Sequence, residues 1–378
     1  MADKRIIGIQ TIYRDVLLTN YGSFFQHYAL RRVLRAMGYA CYRCETDAVR
    51  DELSHFILVL RKIRVRVLSW VGLRNRPNEL GVWQMWLRYR FIRDFKRLIA
   101  PLFENQCEER TWLYLAGGDS VWCCKGDVYY LLDRDKSVPR ISYAASAAWD
   151  KGEKDATWVR SIRDVVLTYR HIGVREETGV NTIKAICPCA KVDEVVDPVL
   201  LLSRNELLDV CRGKSMRFRK KTLLYYVVNI WSEGDLNLSV MKCVADRLSC
   251  DLKIVGIQGA EKYIPPEFVL RPSPCEFMAM VRDSDYFITN SFHGIVFSVM
   301  LGKRFAFVKQ AGTLHGDQNC RQRNLLKKFR LETRMVGAYP TIDDVMDVLQ
   351  MPLPKTDLES LMERERKRCL AWLKDAVS

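Results

Sequence analysis

The side chains best suited to acid–base chemistry or anion binding lie where strand patterns give way to helix patterns. His293 follows the apolar, strand-forming run at 286–289 and precedes an apolar helical pattern. Asn290 and Ser291, which separate the run from the histidine, are turn and N-cap residue types. Open α/β sheets bind ligands at the carboxyl ends of strands, and a helix N-terminus offers free N–H groups to an anion. We therefore predict that Asn290, Ser291 and His293 contact a ligand, with a capping or packing role for His293 as the alternative.

Arg175 holds a similar position in the first half of the chain, between a strand pattern that ends at Val174 and the start of a helix pattern. A guanidinium at such a junction can hold a carboxylate or a phosphate through two hydrogen bonds. The competing interpretation is an ion pair with Glu176 or Glu177. The residue type and its place therefore predict an anion contact, but not whether the anion belongs to a ligand.

Glycine-bearing loops follow two other strand patterns of the first half. Asn20 and Gly22 lie between the first strand pattern and a long apolar helix pattern, and Gly117, Gly118 and Asp119 follow a later strand. Glycines at such places let the backbone approach a ligand closely. We predict that these five residues bind substrate, although Asp119 by itself would favour capping the next segment over binding a sugar hydroxyl.

The net charge and the cysteine content of the sequence indicate which kinds of partner the protein binds and whether a metal site is expected. A net charge of +15 favours anionic partners such as phosphate-bearing substrates or an acidic membrane surface. Nucleic acid is not predicted, because the basic residues are scattered and no nucleic-acid motif occurs. The 13 cysteines lack framework spacing, which favours reduced thiols in a cytoplasmic protein. Cys41 with Cys44 and Cys187 with Cys189 are too few for a zinc site, so no metal is predicted.

The order of elements predicts an α/β protein with two facing Rossmann-like domains. We place the N-terminal domain, the expected acceptor side of a two-substrate enzyme, at 1–205. A polar and basic linker follows at 206–221, then the C-terminal domain with His293 at 222–355 and a charged helix at 356–378. The start of the chain predicts a strand rather than a signal peptide, and no apolar stretch of about 18 residues predicts a membrane-spanning helix.

Residues 50–110 interrupt this order as a helical, basic insertion. The stretches at 56–76 and 83–99 mix apolar and aromatic residues with arginine and lysine. Such helices can lie on an anionic membrane surface. They can equally pack on the domain with snorkelling arginines, and the sequence leaves the two interpretations open.

Several motifs resemble those of the polysaccharide pyruvyl transferases and follow the order of that family. The matching segments are S-D-Y-x-x-T-N-S-F-H-G ending beyond His293, N-Y-G-S-F-F-Q-H-Y-A-L from Asn20, G-G-D-S-V-W from Gly117, V-R-E-E-T-G from Val174 and D-P-V-L-L from Asp197. The resemblance covers nearly the whole chain outside the insertion and implies the GT-B-like arrangement of the two domains. Asp197 is interpreted as structural.

The resemblance implies transfer of the pyruvyl group of phosphoenolpyruvate to a sugar diol of a surface polysaccharide or its lipid-linked precursor. A pyruvate ketal and phosphate are the implied products, and no cofactor is expected beside the donor. His293 would be the general acid or base, and Arg175 would clamp the donor. Some family members carry an arginine where this chain has Ser291, and Arg321 or another basic residue is expected to replace its charge.

Two other functions stay open from the sequence. One is a GT-B glycosyltransferase that uses a nucleotide sugar, and the other is a non-catalytic glycan-binding or assembly protein. Nucleotide binding without phosphoenolpyruvate binding would indicate the first, and glycan binding without phosphate release the second. For each function we expect a cytoplasmic protein, attached to the inner face of the plasma membrane if the insertion binds lipid.

Overall fold

Two α/β units make up the part of the protein that the computed structural model describes. The described residues are 5–11, 20–44, 79–103, 110–118, 121–123, 134–146, 156–216, 218–311 and 319–378. Asp119 and much of the predicted insertion, at 45–78 and 104–109, lie outside them. Within the described residues, no helix is both long and apolar enough to cross a bilayer.

The first half of the chain forms a parallel sheet. Its strands are β1 (Ile6–Thr11), β2 (Ala40–Arg43), β3 (Thr111–Gly117), β4 (Arg140–Ala145), β5 (His171–Val174) and β6 (Val192–Glu194). In the described residues they pair in the order β2-β1-β3-β4-β5-β6. The intervening helices are α1 (Tyr21–Ala36), α2 (Glu79–Leu98), α3 (Ala156–Leu167) and α4 (Glu177–Ile186). Leu113 and Leu115 pack in one core and Tyr114 and Ala116 in another, because alternate side chains of β3 enter opposite faces of the sheet.

The second half repeats the arrangement with a smaller parallel sheet. Its strands are β7 (Thr222–Val228), β8 (Asp251–Ile257), β9 (Tyr286–Thr289), β10 (Phe305–Val308) and β11 (Met335–Val336). Their order in the described residues is β11-β10-β9-β7-β8. The helices are α5 (Arg204–Asp209), which precedes the sheet, then α6 (Leu238–Arg247), α7 (Pro274–Asp283), α8 (Phe292–Leu301), α9 (Cys320–Lys328), α10 (Ile342–Gln350) and α11 (Lys355–Ala376).

Helix α8 is the element that carries the predicted histidine, and all of its residues are buried. A helix that is apolar on every side belongs in a core. It begins after Ser291 and ends at Gly302, whose φ of 62° is the left-handed cap conformation that glycine adopts without strain. Because α8 is enclosed, its first turn has a fixed position relative to the strands around it.

Helix α2 belongs to the second stretch of the predicted insertion, and it packs between the two domains. Leu87, Phe91 and Phe95 enter the main core. On the same helix, Arg90 forms an ion pair with Glu276 of α7. These contacts match the packing interpretation for this stretch, whereas the first stretch, at 56–76, lies entirely outside the described residues.

The last helix, α11, returns from the second domain to the first. Trp372 donates its indole N–H to Asp193 at 2.9 Å, and Arg368 donates to the carbonyl of Glu194 at 3.0 Å. Cys369 and Leu373 on the same helix are buried. The helix therefore joins the second domain to β6. The predicted pair of α/β domains with a terminal helix is confirmed, and the boundaries assigned from sequence stay predictions.

Candidate active site

The carboxyl ends of β5 and β6 meet the first turn of α8 where the domains join. Tyr21, at the start of α1, fastens this junction. Its hydroxyl donates to the carbonyl of Pro272 at 2.7 Å, and its ring stacks on Phe277 at a centroid distance of 4.1 Å. Phe25 of α1 packs edge-on against Phe297 of α8 at 5.1 Å. The junction is consequently a packed, aromatic contact.

The carboxylate of Asp197 is the centre of a polar group within this junction. Its Oδ2 accepts from Gln26 Nε2 at 2.5 Å and from Arg175 Nη1 at 2.9 Å. The same oxygen lies 3.4 Å from His293 Nε2. Its Oδ1 accepts from the backbone N–H of Val199 at 3.0 Å. One carboxylate thus links α1, the end of β5 and, across the domain boundary, the first turn of α8.

Asp197 is an anion in spite of complete burial. Burial by itself raises the pKa of this carboxyl. The neighbouring imidazole of His293, the charge of Arg175 and the N–H of Val199 have the opposite effect, and they bring the pKa to about 2. At neutral pH the group therefore contains a buried negative charge that is compensated by its neighbours.

His293 is in place for proton transfer to a group beside it. Its side chain is 5% exposed, and Nε2 has no hydrogen bond of good alignment within the described residues. The Asp197 oxygen is slightly farther away than an ordinary hydrogen bond allows. A small movement of the ring would close that distance and fix the tautomer, the role that a carboxylate plays beside many catalytic histidines.

Gly22 explains how two domains can share this imidazole. A Cβ built on Gly22 would collide with Nδ1, Cγ and Cε1 of His293. The first turn of α1 therefore lies directly against the ring. Asn20 begins that turn by accepting from the N–H of Ser23 at 3.2 Å. The predicted Asn20 and Gly22 thus belong to the junction: Asn20 caps α1, and Gly22 leaves room for the histidine.

Arg175 is enclosed by partners from both domains. Its side chain is 1% exposed, and its guanidinium carbon lies 4.6 Å from the ring centroid of Phe292. Arg175 Nε is 3.9 Å from Glu176, whose carboxylate also accepts from Ser146 Oγ at 2.5 Å. Its closest acidic contact is Asp197. The sequence had pointed to Glu176 or Glu177 as the ion-pair partner, and not to Asp197.

Asn290 holds the strand ends in register. Its Oδ1 accepts from the N–H of Val228 at 2.8 Å, and its Nδ2 donates to the carbonyl of the same residue at 2.8 Å. Ser291 donates its backbone N–H to Thr289 Oγ1 at 3.0 Å and makes no side-chain capping bond to α8. Asn290 and Ser291 were both predicted to contact a ligand. The side-chain amide of Asn290 is instead used for bonds to the backbone of Val228.

The predicted glycine loop after β3 lies beside a small cavity. Gly118 has a φ of 109°, which favours glycine, and its carbonyl accepts from the N–H of Ser146. A Cβ on Gly117 would lie 2.9 Å from the carbonyl of Tyr143. The cavity has a volume of about 10 Å³ and is also lined by Thr11 and Gln26. Space of this size holds about one water molecule. Asp119 lies outside the described residues.

Arg321 lies apart from the Asp197 group. It is half-buried in the first turn of α9 and, in the part of the chain that the structure describes, it makes no hydrogen bond or ion pair with Asp197. The neighbouring Cys320 meets Thr178 of the first domain at 3.4 Å. A cleft of about 350 Å³ opens beside these two residues. Arg321 is therefore near the line where the domains meet, but not in the buried group.

Gln26 and Asp197 are the members of the group that sequence reasoning did not assign to the site. Both stand in segments that resemble family motifs, and Asp197 was interpreted as structural. Its neighbours Pro198 to Leu202 are buried and apolar except for the backbone. A carboxylate within such a segment must find partners or lose its charge. An aspartate within this apolar segment was therefore the feature of the sequence that could have indicated a buried, paired carboxylate.

Within the described residues, no cluster of three or more histidine, cysteine or acidic side chains could hold a metal ion. The buried group around Asp197 can supply acid–base and electrostatic chemistry: an imidazole in a fixed place, an ionised carboxylate behind it and a guanidinium beside the carboxylate.

Comparison with protein families gives one match, to a family described as polysaccharide pyruvyl transferase, over residues 20–310. The matched span includes Gly22, Arg175, Asp197 and His293. The comparison with curated protein sequences gave no significant match.

Solved structures similar to this one include a glycotransferase and two UDP-N-acetylglucosamine 2-epimerases. The kitacinnamycin glycotransferase has 13% identity over 100% of both chains, with a TM-score of 0.50. The UDP-N-acetylglucosamine 2-epimerase of Rickettsia bellii has 7% identity over 98% of this chain and 97% of its own, with a TM-score of 0.52. The UDP-GlcNAc 2-epimerase of Neisseria meningitidis, bound to UDP-GlcNAc, has 11% identity, 98% and 99% coverage and a TM-score of 0.50. At such identities the similarity concerns the fold alone, and it confirms the predicted GT-B-like fold.

Proposed function

Because the chain belongs to the polysaccharide pyruvyl transferase family, we propose that it transfers the pyruvyl group of phosphoenolpyruvate to two hydroxyls of a sugar. The acceptor in this proposal is a surface polysaccharide or its lipid-linked precursor. The products are a cyclic pyruvate ketal and inorganic phosphate.

The proposed reaction needs a group that moves protons. Protonation of the methylene carbon turns it into a methyl group and leaves positive charge on the central carbon. Two sugar hydroxyls attack that carbon in succession, and its bond to the phosphate oxygen breaks. Of the two protons that the hydroxyls lose, one balances the new methyl group and the other leaves with phosphate. A general acid or base positioned beside the reacting atoms accelerates such proton transfers by about 10²–10⁴-fold.

The observation that carries this proposal is the position of His293. Its Nε2 lies 3.4 Å from an ionised Asp197 oxygen, at the carboxyl edge of the strands and at a junction of two domains. In the proposed mechanism His293 transfers the proton. Asp197 orients the ring and stabilises its protonated form, so Asp197 acts as a positioning residue.

The donor is a small molecule with a carboxylate and a phosphate, and the site offers positive character for it. Ser291 leaves the first turn of α8 without a side-chain cap, so backbone N–H groups there are suited to an anion. We propose that Arg175 adds the charge that draws the donor towards this turn. Its ion pair with Asp197 fixes the guanidinium in place.

Calorimetry tests the choice of donor. We expect the wild-type chain to bind phosphoenolpyruvate in preference to UDP and other nucleotides, and the Arg175→Ala variant to lose that binding. Arg212→Ala is the matched control, because that arginine is exposed and pairs with Asp209 away from the site. The proposed donor is wrong if the wild type binds UDP or a nucleotide sugar but no phosphoenolpyruvate. That result would indicate a glycosyltransferase. Binding of neither would favour a glycan-binding protein without activity.

We also propose peripheral contact with an anionic membrane on the cytoplasmic side, where lipid-linked glycan precursors would be met. Trp86 and Tyr89 of α2 are 39% and 44% exposed, and Arg93 and Lys96 are exposed on the same helix at helical spacing. Sedimentation with phosphatidylglycerol vesicles is the test. Replacing both aromatic residues by serine should reduce the bound fraction, and no binding by the wild type would contradict the proposal.

A further inference from the structure

Two aromatic rings are the most exposed large apolar side chains among the described residues. Trp231 is 69% exposed and Tyr339 is 66% exposed. Trp231 follows β7 and Tyr339 follows β11, so each lies beyond the carboxyl end of a strand of the second sheet. This edge is the one at which open α/β sheets bind ligands. We call Trp231 and Tyr339 the aromatic platform.

A single carboxylate ties the platform's two loops together. Asp235 Oδ2 accepts from the backbone N–H of Trp231 at 3.2 Å and from that of Ser232 at 2.9 Å. Its Oδ1 accepts from the hydroxyl of Tyr339 at 3.1 Å. The tyrosine ring is thus held by its polar end while its faces stay open.

Other contacts fix the same loops from behind. Tyr263 donates its hydroxyl to the carbonyl of Trp231 at 2.6 Å. Asn237 donates its side-chain amide to the carbonyl of Ala338, next to Tyr339, at 2.9 Å. Asn237 itself has a φ of 51°, in the left-handed region that asparagine adopts more readily than most other residues. The backbone under both rings is therefore held by specific bonds, which is what a rigid binding surface needs.

The platform stands beside the candidate active site. The loop that carries Trp231 leaves β7 at Val228, and Val228 is bonded through both backbone groups to Asn290. Asn290 is three residues before His293. Trp231 is three residues after Val228, so their Cα atoms are at most about 11 Å apart. A ligand that reached the first turn of α8 could extend along the sheet edge to the rings.

The chemistry of the surface matches a carbohydrate. A pyranose ring presents a face of C–H groups that packs on an aromatic face, and its hydroxyls need hydrogen-bond partners at the rim. Here Ser232, Glu233 and Asp235 lie beside the rings. Two isolated rings among carboxylates are too small an apolar surface for a protein interface or a lipid chain. The carboxylates would repel a nucleic-acid backbone.

We propose that Trp231 and Tyr339 bind sugar rings of the acceptor glycan, next to the sugar that receives the pyruvyl group. The identification of the bound glycan as the acceptor rests on the proposed function, whereas carbohydrate binding by the platform does not. In this proposal the acceptor is an oligosaccharide or a longer chain, because the platform holds sugars other than the one that receives the pyruvyl group.

A printed array of glucose- and galactose-containing oligosaccharides, of one to six sugars, tests the platform. Fluorescence titration with the best-bound oligosaccharide then gives affinities. We expect the wild type to bind longer oligosaccharides better than monosaccharides. Trp231→Ala should lose at least tenfold in affinity for the longer ones and keep the affinity for monosaccharides. Trp231→Phe should retain most of the binding, because it keeps an aromatic face.

Two further variants separate a binding role from a structural one. Tyr339→Phe keeps the ring but removes the bond to Asp235, so we expect a smaller loss than for Tyr339→Ala. Trp112→Phe is the control, because Trp112 is at the opposite end of a strand of the first sheet, with Arg5 over its ring. It should bind glycans as the wild type does. The platform proposal is overturned if the wild type binds no glycan on the array or if Trp231→Ala binds as tightly as the wild type.

The outcome is distinguishable from failure of the proposed function. Phosphoenolpyruvate binding and phosphate release are measured on the same proteins. Glycan binding that depends on Trp231, without any use of phosphoenolpyruvate, would refute pyruvyl transfer and support the platform. Pyruvyl transfer whose KM for an oligosaccharide is the same in Trp231→Ala and in the wild type would support the function and refute the platform.

Discussion

The buried group around Asp197 and the aromatic platform both lie beyond the carboxyl ends of strands, yet they use opposite physical means. In the first, a charge is taken completely out of water and every neighbour compensates it. In the second, apolar rings stay in water and one carboxylate restrains them. Burial strengthens electrostatic interactions and makes each lost partner expensive. Exposure makes a side chain almost irrelevant to folding and available to a ligand. Substitutions that leave a buried charge unpaired should therefore lower stability and activity together in the first region, whereas substitutions in the second region should change binding alone.

The largest effect should come from His293. With His293→Gln, which keeps polarity and approximate size, we expect phosphate release from phosphoenolpyruvate and a sugar diol to fall by about 10²–10⁴-fold, because no group remains that can both donate and accept the proton. Circular dichroism and the unfolding midpoint should stay close to wild type. Full activity in the folded variant would show that the histidine is not the proton-transferring group. The buried group would then no longer differ from the aromatic platform by carrying the chemistry.

Asp197 should give the largest loss of stability. Asp197→Ala leaves Arg175 buried without its closest carboxylate, so we expect the free energy of unfolding to fall by about 3–5 kcal/mol. Asp343→Ala is the matched control. Asp343 pairs with Arg247 at 2.5 Å, but the two side chains are 78% and 52% exposed, so the loss should be below about 1 kcal/mol. Urea unfolding measures both.

Equal losses for the two aspartates would contradict the importance assigned to burial. A large loss for Asp197 with unchanged turnover at low temperature would leave it a structural residue, as the sequence interpretation had it. A pH–rate profile that shifts in Asp197→Asn, beside an unshifted one in Asp343→Asn, would instead support its action on the imidazole.

Gly22 tests the contact between the domains. Gly22→Ala adds a Cβ that has no room beside His293, so either the ring or α1 must move. Displacement of a catalytic group by about 1 Å can cost about 10²-fold in rate, and we expect turnover to fall by that order. Turnover like that of the wild type would mean that the imidazole has more freedom than the contact implies.

The smallest predicted effect is a pH dependence of stability. The pKa of Asp197 is about 2 in the folded protein, below its ordinary value of 3.8. Its contribution to stability is therefore present above about pH 4 and is lost as the pH falls towards 2. The difference corresponds to about 2 kcal/mol. Urea unfolding between pH 5 and pH 3 should show a steeper loss for the wild type than for Asp197→Asn. Parallel curves would contradict a depressed pKa.

The general architecture was readable from the sequence because parallel strands are buried on both faces. Runs such as Leu223 to Val228 are apolar throughout, and helix patterns separate them with cap residues at the expected ends. His293 was located correctly at the start of a helix by the same local signals. These features depend on neighbours within a few residues, and a single sequence shows them directly.

The membership of the buried group was not readable in that way. Gln26 and Asp197 are 171 residues apart in the chain and 2.5 Å apart in space. No periodicity links them, because the fold, and not the local pattern, brings them together. Asn290 illustrates the converse. Its type predicted a turn and a ligand contact, but its amide is used to join the ends of β7 and β9. Local chemistry suggests what a side chain is able to do, and its partners decide which of those roles remains.

The absence of a side chain at Gly22 has a consequence for fidelity. The carbon that becomes positively charged during the proposed transfer would react with water as readily as with a sugar. If the domains separated enough to admit water, α1 would withdraw from the imidazole, and the ring would lose the support that orients it. Solvent entry and loss of the proton-transferring group would then be the same event. An open molecule would waste little donor, since the arrangement that exposes the reactive carbon also disables the chemistry that generates it.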